Sequence, residues 1–149
     1  MFFSTDLKSK RFCLQIKSSN VVIDGKNYTV QGDIYVENVD NVVLTGFRLK
    51  GDIAIVSSSN IVVKGVEVHA SKGISVYRSS NVSILESTFI ECISAIHATL
   101  SDKVKLDRVE VRNCDAGVSF DKCTKCEIKH SSFRDNERGI EVINSKCIL

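Results

Sequence analysis

Proline and tryptophan are absent from this 149-residue chain, and methionine occurs once. Without proline, every backbone N–H past the first residue is free to donate, which suits a fold made of hydrogen-bonded ladders. An excess of charge of one sign is also missing: 20 basic side chains stand against 18 acidic ones, interspersed, for a net +2. That balance leaves no electrostatic footprint for nucleic acid. Long apolar runs are lacking too. No stretch approaches a membrane span, and the opening MFFSTDLKSK has no secretory core. The chain as written is therefore expected in the cytoplasm, or outside the cell if it is a piece of a longer exported protein. Neither nucleic acid nor membrane is expected as a partner.

The chain instead carries a repeat. Asn20, Asn41, Asn60 and Asn81 are spaced 21, 19 and 21 apart, and Lys103, Lys125 and Lys146 continue the register at intervals of 22, 22 and 21. After each comes an apolar pair of period two, from Val21/Ile23 through Val82/Ile84 to Cys126/Ile128. A second family of pairs runs Tyr28/Val30, Phe47/Leu49, Val66/Val68, Ser87/Phe89, Val109/Val111 and Ser131/Phe133. A third runs Leu14/Ile16, Ile34/Val36, Ile53/Ile55, Ile74/Val76, Ile96/Ala98, Val118/Phe120 and Ile140/Val142. Period two is the spacing of strands with one buried face, and β-branched and aromatic residues suit such a face.

Three strands in about 21 residues are too short to pair with one another, but each can pair with its counterpart one repeat away. The expected fold is all-β: a right-handed, single-stranded parallel β-helix of about seven coils with three short parallel sheets. Residues 1–149 form one domain in this reading, with 1–12 as an N-terminal cap segment and 13–149 as coils. Gly73, Gly117 and Gly139 each precede an inward pair, where a sharp corner calls for positive φ. Gly25, Gly46 and Gly65 mark another corner, filled later by Glu86, Arg108 and His130. The asparagine corner admits a left-handed residue, and its amides are placed to hydrogen-bond from coil to coil.

Six cysteines occur. Cys92/Cys114 and Cys126/Cys147 occupy equal positions in adjacent coils, about 4.8 Å apart and within reach of a disulfide. They are read as reduced, buried packing residues. Cys123 and Cys126, with His130 and Cys147, lack the convergence a zinc site needs, so no metal and no cofactor are expected.

The segment from Leu14 to Gly32, LQIKSSNVVIDGKNYTVQG, is similar to the opening coil of NosD-like β-helix proteins. The turns Gly73-Ile74-Ser75-Val76 and Gly139-Ile140-Glu141-Val142 resemble the same repeat. That family carries the carbohydrate-binding and sugar-hydrolysis (CASH) type of repeat and belongs to the pectate-lyase-like superfamily. The resemblance implies the fold; it leaves open lyases, hydrolases, epimerases, spikes and adhesins. Polygalacturonase-like motifs are not found in order here. Pectate-lyase-like motifs that contain tryptophan and proline cannot be present.

Outward residues of a β-helix stack in rows. One row reads Gln15, Tyr35, Ala54, Ser75, His97, Ser119, Glu141; the next reads Lys17, Glu37, Val56, Tyr77, Thr99, Asp121, Ile143. Together they place Tyr77, Ser75, His97, Ser119, Thr99, Asp121 and Glu141 on one patch. Aromatic faces beside hydroxyls and carboxylates suit a polysaccharide or other glycan. The carboxylates Asp121, Glu141, Asp33 and Asp52 are the candidates for catalysis, the last two on adjacent coils. The leading expectation is a noncatalytic module that binds carbohydrate or another extended ligand along this sheet. Alternatives are a structural element that forms homo-oligomers through its coil ends, and a polysaccharide lyase or glycoside hydrolase.

Overall fold

The computed structural model describes all residues 1–149 and contains strands but no helix. Three parallel ladders run along the coil axis. The first stacks Leu7–Ile16, Thr29–Glu37, Ile53–Val56, Ile74–Tyr77, Ser94–Thr99, Ala116–Asp121 and Arg138–Ile143. The second stacks Val21–Asp24, Asp40–Thr45, Ser59–Lys64, Ser80–Leu85, Asp102–Asp107, Thr124–Lys129 and Lys146–Ile148. The third begins with the front half of Thr29–Glu37 and continues through Arg48–Lys50, Glu67–His69, Thr88–Ile90, Glu110–Arg112 and Ser132–Arg134. Because Thr29–Glu37 runs through both, the first and third ladders join into one 12-stranded sheet beside a seven-stranded one.

Every named pairing is parallel and joins residues one coil apart: Ile53 opposes Ile74, Ile74 opposes Ile96, Ile96 opposes Val118 and Val118 opposes Ile140. The inward members fill one continuous core. Ile34, Ile53, Ile74 and Ile96 are fully buried, each contributing about 1.5–3 kcal/mol of apolar transfer. The corners stack as well. Of 100 backbone hydrogen bonds, 34 lie outside the strands, among them Ser57 N–H to Tyr77 O and Arg78 N–H to Thr99 O. A proline at such a corner would break the run of donors, which explains the absence of that residue.

The asparagine corner is left-handed at Asn20, Asn41, Asn60 and Asn81, with φ between 52° and 59°, and at Lys103 and Lys125. Its amides link coils pairwise: Asn41 Nδ2 donates to Asn20 Oδ1 at 2.9 Å, and Asn81 Nδ2 to Asn60 Oδ1 at 2.5 Å. Between the pairs the ladder is broken, because Asn60 Nδ2 donates to Asp40 Oδ1 at 2.7 Å. A second ladder is built of hydroxyls. Buried Ser58, Ser79 and Ser101 each donate to the carbonyl two residues back. The Ser79 and Ser101 oxygens also accept the N–H of Ser58 and Ser79, at 3.1 and 3.2 Å. Each hydroxyl thus satisfies two buried backbone groups on neighbouring coils.

Four expectations require correction. Of the three glycines before inward pairs, only Gly73 has positive φ, at 57°. Gly117 is required for another reason: a Cβ there would overlap the carbonyl of Gly139 in the next coil. Tyr28 is 37% exposed, not inward. Its corner contains two more residues than those at Gly46 and Gly65, and left-handed Lys26 and Asn27 lift the ring out of the core. Cys126 and Cys147 form a disulfide with a Cα–Cα distance of 4.4 Å, because they are inward residues on adjacent rungs. Cys92 and Cys114 are free and buried, and Cys13 and Cys123 are free as well. Finally, the strand Leu7–Ile16 begins within the segment read as a cap, and its front part pairs Leu7 with Val30.

Candidate functional site

The outer face of the first ladder brings the sequence-derived patch together in the expected register. His97 lies between Ser75 and Ser119, and Thr99 lies between Tyr77 and Asp121. Ser119 in turn opposes Glu141, and Asp121 opposes Ile143. Within its strand, Thr99 Oγ1 is 2.7 Å from His97 Nε2, so the hydroxyl orients the ring. Tyr77 is 38% exposed, with the Arg78 guanidinium 5.1 Å from its ring centroid. Glu141 is held by Arg138 at 3.4 Å. Ser119 departs from expectation. It occupies the outward position but is only 8% exposed, because a small side chain between His97 and Glu141 is overhung by both.

Asp33 and Asp52 are turn carboxylates, each with one oxygen engaged. Asp33 Oδ1 accepts the N–H of Asp52 at 2.9 Å, and Asp52 Oδ1 accepts that of Lys72 at 2.7 Å. Backbone bonding fixes both groups at the rim of a groove of about 330 Å³. Phe12, Tyr35, Ala54, Lys72 and Ser75 line it above the backbone of Ile34 and Ile53, and the Phe12 and Tyr35 rings pack at 5.8 Å with a 44° tilt. A shallower hollow lined by Lys72, Ser75, Ser94 and His97 continues it along the coil axis. The two share Lys72 and Ser75, so the groove leads onto the His97 patch. Phe12, Lys72 and Ser94 lie outside the alternating pairs of the repeat: Phe12 in a strand with shifted register, Ser94 at the first position of its strand and Lys72 at a corner.

A larger hollow of about 350 Å³ lies at the corner between the first and second ladders, lined by Arg78, Leu100, Lys122 and Asp102 among others. It is a gap between exposed corner side chains, with no aromatic wall and with Asp102 already accepting from Thr124 Oγ1 at 2.6 Å. The chemistry of the first-ladder groove makes it the better candidate.

The fold describes a β-solenoid, and comparison with known proteins agrees on that fold. Residues 5–147 match the family described as "Periplasmic copper-binding protein (NosD)", and the chain belongs to that family. Among solved structures it is similar to one described as a "putative glycosyl hydrolase" from Parabacteroides merdae ATCC 43184. The TM-score is 0.52 at 13% identity, over 81% of this chain and 83% of that one, a likeness of fold. No curated protein matches.

The family description names copper, so the donor set was compared with what copper requires. Copper sites gather imidazole, thiolate or thioether ligands around one point. Here His69 lies with Glu67, His97 with Thr99 and His130 with Asp107, each on a different part of the surface. No three His, Cys, Asp or Glu side chains converge, and Cys126 and Cys147 are bonded to each other. The residues present do not fit a copper centre.

Proposed function

We propose that this chain is a noncatalytic carbohydrate-binding module whose ligand lies lengthwise along the outer face of the first ladder. The observation that carries this reading is the continuity of the groove with the patch: aromatic, hydroxyl, carboxylate and imidazole groups follow one another along the coil axis. Rungs recur about every 4.8 Å, so successive units of an extended glycan would meet equivalent positions on successive coils. Tyr35 and Tyr77 supply ring faces, while Ser75, His97, Thr99 and Asp121 supply hydrogen-bonding groups.

A glycan array followed by titration calorimetry tests the reading. Tyr77→Ala should weaken binding several-fold, since a stacking aromatic is worth on the order of 1 kcal/mol. Asp121→Asn should leave binding largely intact if the patch only binds; it should abolish turnover with binding retained if that carboxylate is a general acid or base. Binding of no glycan across a broad array would overturn the proposal.

A further inference from the structure

The groove has a cause in the lengths of the corners that flank it. The corner between the third and first ladders varies in length along the stack. From Val30 to Ile34 and from Leu49 to Ile53 it advances four positions, but from Val68 to Ile74 it advances six, and from Phe89 to Ile96 seven. On the other side, in the first coil, Leu7 pairs with Val30 and Leu14 with Ile34, so seven positions again oppose four, through two register shifts. Two short corners are thus flanked by longer ones. The result is a notch two rungs wide, about 10 Å at the usual strand spacing. Phe12 rises on one side and Lys72 on the other, with Tyr35 and Ala54 between them.

Ala54 has the smallest side chain of its outward row, so the centre of the notch is left open. Phe12 is braced from behind by the Arg11 guanidinium at 5.1 Å and packs against Tyr35. Asp33 and Asp52, each anchored through Oδ1 to a backbone N–H, keep Oδ2 for a ligand. A braced aromatic wall facing two fixed carboxylates suits a sugar ring, whose C–H face stacks while vicinal hydroxyls donate. Among the lining groups two carboxylates stand against the ammonium of Lys72, with the Arg11 guanidinium set against the Phe12 ring, so a uronate placed at the Asp33 and Asp52 Oδ2 atoms meets like charge.

We propose that this notch is the principal subsite of the glycan-binding face, and that it takes a neutral or amino-bearing hexose unit rather than an acidic one. The proposal rests on the reading of the first ladder as a carbohydrate face. It assigns the specificity to Phe12, Tyr35, Ala54, Asp33 and Asp52, apart from the Tyr77 patch.

The test is calorimetry of the full chain with neutral trisaccharides of glucose, mannose, galactose and N-acetylglucosamine, with triglucosamine, and with trigalacturonate. At least one neutral or amino trisaccharide should bind, with trigalacturonate roughly tenfold weaker or undetectable. Ala54→Phe, which fills the notch from an outward position, and Tyr35→Ala should each weaken binding by roughly tenfold with unchanged circular dichroism. If neutral sugars bind and only Tyr77→Ala weakens them, the notch assignment is wrong and the carbohydrate face stands. Tighter binding of trigalacturonate would overturn the charge argument. If no sugar binds, both the notch and the face are rejected.

Discussion

The two ends of the coil stack are built from the same repeat but differ in how they are closed. At the N-terminal end, Met1–Phe3 adds a rung to the second ladder. Phe3 N–H donates to Asp24 O and Asp24 N–H to Met1 O, both at 2.9 Å, and Phe2 bridges Asp24. The Phe3 ring is 5% exposed and lies 6.4 Å from Phe47, covering the end of the core. At the other end, Ile140 is 38% exposed although the equivalent Ile96 is fully buried. Within residues 1–149 the same inward position is core where coils pack on both sides of it and solvent-accessible where one does, as expected when stability is a sum of nearest-neighbour interfaces. The coil with neighbours on one side only is also the one tied covalently, through Cys126–Cys147.

This contrast gives an ordered set of tests. Ile96→Asp should be the most severe, costing more than about 4 kcal/mol and abolishing the cooperative thermal transition, because it places an unpaired charge in the core. Ile140→Asp, the same change two coils further on, should cost on the order of 1 kcal/mol, since that side chain already meets solvent. Equal loss from both, measured by chemical denaturation, would show that the coils do not behave as separable units. Next comes the staple. Removing it with Cys147→Ser should cost about 3 kcal/mol, the entropy of a loop of roughly twenty residues. Hydrogen exchange should rise mainly in 131–149. Exchange that rises equally in the first coils would contradict a local role. Closing the opposite end depends on Phe3; Phe3→Ala should cost about 2–3 kcal/mol and loosen 20–30 while leaving the last coil unchanged.

How far the sequence disclosed this architecture follows from the kind of interaction involved. Inward positions such as Ile74 and Val118 were legible because alternation and branching are written residue by residue. The patch register was legible for the same reason: once Ile74 faces Ile96, Ser75 must face His97. Burial of Ser119 was not, because it depends on the length of side chains one rung away on either side. The notch was partly legible, in the shorter interval between Ile34 and Ile53, but Phe12 reaches it through a strand with two register shifts that no repeat announces. The free cysteines show the same division. Cys92 and Cys114 read as packing residues and are buried, and burial pushes the Cys92 thiol up to about 12, far from reactive. Their further role is tertiary: the Cys114 sulfur accepts the Cys92 N–H at 3.3 Å, standing in for the serine hydroxyls of other corners.

The smallest expected effect concerns pH. In the first coils, Asp24 is held below the ordinary carboxylate range. The main cause is the hydrogen bond from the Lys26 side chain at 2.9 Å, followed by that from the Lys26 N–H. Asp40, one coil on, is lowered by hydrogen bonds from Ser59 and then Asn60. A depressed folded pKa gives stability that is present above the unfolded value of about 3.9 and disappears as pH falls through the folded one. Acid should therefore loosen the N-terminal corners, where Asp24 holds Lys26 within its own turn and Asp40 accepts from Ser59 and Asn60 of the next coil. Protection factors for 20–46 should hold down to about pH 5 and fall below it as pH passes through the lowered folded values, and Asp24→Asn should flatten part of that fall by removing the titrating group. Both carboxylates are exposed, so the change will be modest and reduced by salt. An unchanged pH dependence in the Asp24→Asn variant would show that Lys26 holds the corner through its left-handed backbone alone, without help from the ion pair.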